Sequence, residues 1–174
     1  GPKGIGVLFV RHNTPLAPII SGGGQEFGLR SGTENVANIV GLAKAVELVF
    51  KNREKHFKYV ENLRNKLLNY IIKYNSEAKL NGSLLNRLPN NLNIRFPGVN
   101  NETMLVALDL AGFAVSAGSA CSSRGSEISH VLKAIGLNDA QTRESIRITF
   151  GKYNNEKEIK RLAETINVLS KKLK

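Results

Sequence analysis

The 174-residue chain contains a single cysteine, Cys121. One thiol cannot close an internal disulfide, and this fits a reducing, cytoplasmic compartment. Aromatic residues make up only 6% of the chain. They show no spacing like the stacking platforms of RNA-binding sheets. No apolar run approaches the ~20 residues needed to cross a bilayer, so no membrane span is expected. A charged start leading into an apolar stretch and a small-residue cleavage site is also missing, so no secretion signal is read. One thiol and three scattered histidines, His12, His56 and His130, offer no metal-ligand spacing. The chain opens abruptly on "GPKGIGVLFV" without an initiator methionine, and we expect a fragment of a longer protein.

A hydrophobic content of 41% supports a core, and 22% charged residues keep it soluble. The net charge of +11 and pI near 10.0 raise nucleic acid as a partner. The distribution weakens that reading and leaves nucleic-acid binding a minority alternative. Lys51, Arg53, Lys55, Lys58, Arg64 and Lys66 alternate with Glu47, Glu54 and Glu61 along one helical stretch, as on a solvated helix face.

Periodicity sets the expected elements. Ile5 to Val10 reads as a buried strand. A helix over Asn35 to Phe50 carries Val36, Ile39, Val40, Ala43, Val46 and Phe50, and a second helix carries Val60, Leu63, Leu67 and Ile71. "NLNIRF" alternates Leu92, Ile94 and Phe96. Thr103 to Leu110 is a short helix stopped by Gly112, "FAVS" a short strand, and Ile128 to Ile135 a helix stopped by Gly136. "SIRITF" alternates again, and Ile159, Leu162, Ala163, Ile166 and Leu169 mark a last helix. The order predicts an α/β fold, with helices on a small mixed or antiparallel sheet in two layers. Residues 56–174 form this domain, and residues 1–55 belong to the edge of something larger.

Three places can carry chemistry. "GGQEFGLRS", Gly23 to Ser31, has the glycine spacing of a phosphate loop but Leu29 at the lysine position. It is either a turn needing positive φ at its glycines or, with Ser31 and Thr33 at a helix start, an anion site. In "SIRITF", period-two geometry puts Arg147 and Thr149 opposite the apolar face. Arg147 is there a solvent-facing cation or a bidentate carboxylate clamp. Cys121 is either inert or reactive. Its surroundings, "SAGSACSSRGS", lack any large apolar side chain, which predicts an exposed, pliable segment of the kind a reactive thiol needs.

Four motifs in order, "GPKGIGVLFVR", "GGGQEFGLRSGTEN", "SAGSACSS" and "SIRITFGKYN", together form a highly specific set. With them the chain resembles the C-terminal part of a cysteine desulfurase, a pyridoxal-phosphate enzyme of fold type I in the aminotransferase class V superfamily. "SGSAC" is similar to the subgroup with the longer cysteine loop. The resemblance implies conversion of L-cysteine to L-alanine, with sulfur passing to the enzyme thiol as a persulfide for iron–sulfur cluster or tRNA-thiolation pathways. Cys121 matches the nucleophile, Arg147 the residue that binds the substrate carboxylate, and Thr33 a residue reaching the cofactor phosphate of a neighbouring subunit. A homodimer and a sulfur-acceptor protein, such as an iron–sulfur scaffold, are the implied partners. The family's Schiff-base lysine precedes "GPKG" and Lys3 does not match it, so the chain alone is expected to be inactive. The alternative is a non-catalytic C-terminal binding or dimerisation module.

Overall fold

The computed structural model describes residues 1–118 and 128–174. The chain divides into two compact units, Gly1–Arg53 and Glu54–Lys174.

In Gly1–Arg53 the expected strand at Ile5 to Val10 does not form. These residues have no regular structure, and Val7 and Phe9 are 83% and 85% exposed. A strand is held by ladder hydrogen bonds to a neighbour, and no described residue of this unit supplies one. A short 3-10 turn, Glu26–Gly28, precedes the long helix α1, Val36–Tyr74. The N-terminus rests on α1. A Cβ added at Gly41 would lie only 3.0 Å from Pro2 Cγ, so glycine permits the approach.

α1 is one helix of 39 residues where two were expected. The stretch "KNREKHFKY" contains no glycine or proline, and its lysines, arginine and glutamate are good helix formers. Without a breaker, the expected boundary has no physical cause. The apolar stripe has two fates. Val60, Leu63, Leu67 and Ile71 are buried, as the periodicity predicts, whereas Val36, Val40, Val46 and Phe50 are exposed.

In Glu54–Lys174 a three-stranded antiparallel sheet has the order β1–β2–β3, with β1 Lys79–Leu80, β2 Asn91–Arg95 and β3 Ser145–Thr149. The register pairs Leu80 with Ile94, and Leu92, Asn93 and Ile94 with Ile148, Arg147 and Ile146. Leu92, Ile94 and Phe96 share the core face with Ile146, Ile148 and Phe150, and all six are buried. The C-terminal half of α1, α2 (Asn101–Leu110) and α5 (Glu156–Lys172) supply the rest of that core through Leu67, Met104, Leu108, Ile159 and Ile166. Full burial of one such side chain stabilises by about 1.5–3 kcal/mol.

Side-chain caps fix the helix starts. Asn100 Oδ1 accepts from the Glu102 and Thr103 N–H groups at 3.0 and 3.1 Å. Asn155 and Glu158 form a reciprocal capping box at α5. Gly112, at φ 84°, ends α2 as expected. The expected helix from Ile128 is shorter, α3 at His130–Ala134, because Ser129 caps it. A five-residue helix absent from the sequence reading, α4 (Asp139–Arg143), lies between α3 and β3. The expected "FAVS" strand reduces to a single antiparallel bridge, Ser116 with Arg147.

Candidate functional site

Arg147 sits in the middle of β3 with its side chain on the face opposite the core. On one flank, Arg147 N–H donates to Ser116 O at 2.6 Å, and Ser116 N–H to Arg147 O at 3.0 Å. Both backbone groups of Arg147 therefore point toward Ser116. On the other flank, Arg147 faces Asn93 across a pair without backbone hydrogen bonds, where side chains come closest. Asn93, Arg147 and Ser116 thus form one polar row across the sheet, and all three are half-buried.

The rest of this face is cationic and polar. Arg95 lies opposite Ser145, and Lys79 opposite Arg95. Glu144 approaches Arg95 Nε only to 3.9 Å. The Arg147 guanidinium has no hydrogen-bond or ion-pair partner among the described residues. A half-buried guanidinium with open donors, in a basic neighbourhood, suits a carboxylate.

Beside this row lies a buried network that sequence reasoning missed. Ser145 Oγ donates to Gln141 O at 2.8 Å and accepts from Asn81 Nδ2 at 2.9 Å. Asn81 Nδ2 also donates to Asn93 Oδ1 at 2.7 Å. Ser145 is 1% exposed and Asn81 6%. The alternation of "SIRITF" put Ser145 on the polar face but carried no sign that it is buried. Its partners lie four and 64 positions away.

Thr33 belongs to the other unit and is exposed. The loop before it is tightly held. Ser31 Oγ donates to Gly23 O at 2.7 Å, Ser31 N–H to Ile20 O at 3.3 Å, and Gly32 N–H to Gln25 Oε1 at 3.2 Å. Gly22, Gly28 and Gly32 all have positive φ, as a glycine-dependent turn requires. Glu26 and Phe27 share that region at φ 50° and 58°, an unfavourable conformation for side-chain-bearing residues, and Phe27 is 98% exposed. The loop ends with the Thr33 hydroxyl and N–H unengaged by any described residue, just before α1. This donor set fits a phosphate oxygen.

Cys121 lies outside the described residues. The described chain runs to Gly118, two residues past the Ser116 bridge. Among the described residues no group of ionisable side chains has metal-binding geometry, and no helix is long and apolar enough to cross a membrane. A hollow of about 470 Å³ beside α1 is lined in part by Glu61, Arg64, Leu68 and Leu85, and includes neither Arg147 nor Thr33.

Residues 1–162 match the family model described as aminotransferase class-V. The chain is 44% identical over 166 residues to cysteine desulfurase IscS 1 of Archaeoglobus fulgidus, covering 95% of this chain and 43% of that protein. It is 42% identical to cysteine desulfurase IscS of Dictyoglomus turgidum, covering all of this chain and 44% of that one. Among solved structures, a NifS-like protein superposes with a TM-score of 0.86 at 36% identity, over 99% of this chain and 44% of its own. A NifS-like protein from Rickettsia africae gives 0.78 at 30% identity, over 91% and 41%. The chain thus spans less than half the length of these relatives.

Proposed function

Because the chain belongs to the aminotransferase class-V family, we propose that it is the C-terminal portion of a cysteine desulfurase. The substrate is L-cysteine and the products are L-alanine and a persulfide on Cys121. The observation that carries this reading is the half-buried row Asn93–Arg147–Ser116, which holds an open guanidinium on the strand bridged to the segment leading toward Cys121. On this reading, residues 1–55 are a remnant of the large cofactor-binding domain and residues 56–174 the small domain.

The donor chemistry of Thr33 supports a role toward the phosphate of pyridoxal phosphate in a neighbouring subunit of a homodimer. When bound, that cofactor supplies the electron sink that weakens the substrate carbon–sulfur bond. Arg147 holds the substrate carboxylate by paired N–H donors and so fixes the orientation of the sulfur. The Cys121 thiolate attacks that sulfur. A sulfur–sulfur bond forms, the carbon–sulfur bond breaks, and its electron pair stays with carbon, which takes up a proton. L-cysteine and the enzyme thiol become L-alanine and the enzyme persulfide, with no outside oxidant. The sulfur then passes to an acceptor protein such as an iron–sulfur scaffold. A single cysteine fits a cytoplasmic setting.

Arg147→Ala in the full-length enzyme tests the clamp. Loss of a hydrogen-bonded charge pair should cost about 1.5–3 kcal/mol of substrate affinity, seen as a raised KM for L-cysteine. An unchanged KM removes Arg147 from the site.

A further inference from the structure

The hydrogen-bond network beside Arg147 fixes which end of the Asn93 amide is free. A carbonyl oxygen can only accept, so the Ser145 hydroxyl spends its one proton on Gln141 O. Ser145 Oγ must then accept, and the group it meets on Asn81 is the NH2 end, at 2.9 Å. The second N–H of that NH2 group lies against Asn93 at 2.7 Å, so the atom facing it is the Asn93 carbonyl oxygen. The Asn93 NH2 group is the end left over. It donates to no described residue. Asn93 stands opposite Arg147 on the same face, in the close pair where Cα atoms are about 4.5 Å apart. Two donor groups that cannot satisfy one another therefore sit side by side, half-buried. A ligand acceptor bearing several lone pairs can serve both donors at once, in place of the water that reaches a half-buried face.

We propose that Asn93 is a second substrate-binding residue, whose NH2 group donates to the carboxylate held by Arg147, and that Asn81 and Ser145 are its positioning residues. The proposal rests on the reading of Arg147 given above. A carboxylate has lone pairs enough for a bidentate guanidinium and one further N–H donor. Asn93 then selects for ligands bearing a carboxylate, over amines that lack one.

The informative variant is Asn93→Asp in the full-length enzyme. It keeps an oxygen for Asn81 to donate to and replaces the NH2 donor by an acceptor. Asn93→Ala guards against a misfolded result, and thermal melting checks both. Inhibition constants are measured for L-alanine and for ethylamine, which keeps the amine and methyl groups without the carboxylate, beside KM and kcat for L-cysteine. We expect both variants to raise the L-alanine constant and the KM by about tenfold or more, the usual loss for a hydrogen bond to a charged group. Ethylamine inhibition should stay within about twofold. If Arg147→Ala weakens L-alanine and neither Asn93 variant does, the Asn93 assignment is wrong and the clamp stands. If none of the three variants weakens it, the reading of Arg147 fails and takes Asn93 with it. Equal weakening of L-alanine and ethylamine makes Asn93 a structural residue and overturns the proposal.

Discussion

Replacing Ser145 by alanine removes one oxygen from a residue that is 1% exposed. The two hydrogen bonds lost are unequal. The Gln141 carbonyl keeps the Glu144 N–H at 3.3 Å, so that acceptor stays partly satisfied. The Asn81 N–H loses its 2.9 Å partner, and Asn81 is itself too buried for water to replace it. An orphaned buried donor costs about 1–3 kcal/mol. For a chain of this size each kcal/mol lowers Tm by about 2–4 °C, so a 2 kcal/mol loss is a drop of about 4–8 °C. Melting of the 174-residue chain, followed by circular dichroism, reads it directly. Asn81→Ala supplies the second corner of a double-mutant cycle. With the donor gone, Ser145→Ala should cost clearly less than it does alone. A melting temperature within about 1 °C of the parent chain, or strictly additive losses, would refute the network on which the orientation of Asn93 depends.

Other expectations follow from single contacts. Leu67 is fully buried at the centre of the α1 face, and Leu67→Ala should cost about 2–5 kcal/mol in urea unfolding. Asn155→Ala breaks the α5 capping box and should cost about 1 kcal/mol in the same assay. Glu77 is hydrogen-bonded to Lys174, which holds its carboxyl below the ordinary value. A depressed carboxylate contributes stability above its unfolded pKa and loses it as pH falls through the folded one. Lys174→Ala should move the Glu77 midpoint upward in an NMR titration, and an unmoved midpoint rejects the pair.

The legible parts of this chain were those set by local period. Leu92, Ile94 and Phe96, and Ile146, Ile148 and Phe150, alternate because each strand has one buried face, and that alternation placed Arg147 on the other. Leu63, Leu67 and Ile71 declared their helix face in the same way. Ile5 to Val10 misled because apolar β-branched residues report a preference for burial, and burial needs a partner surface that the unit does not provide. The exposed Val36, Val40 and Phe50 carry the same lesson on a helix. The Asn81–Asn93–Ser145 network was invisible because hydrogen bonds across 12 and 64 positions leave no periodic trace. α4 did leave a signal, since Asn138 and Gln141 have capping-box spacing, but five residues are too few to show a hydrophobic period. The role proposed for Cys121 rests on the "SAGSACSS" motif.

The most direct test is mass spectrometry of the full-length enzyme after one turnover with L-cysteine, without an acceptor or reductant. The account predicts one added sulfur atom on the peptide containing Cys121, removable by a thiol reductant, and no such adduct in a Cys121→Ser variant that retains its cofactor absorbance. L-alanine formation at the parent rate in that variant, or sulfur found on another peptide, would contradict it.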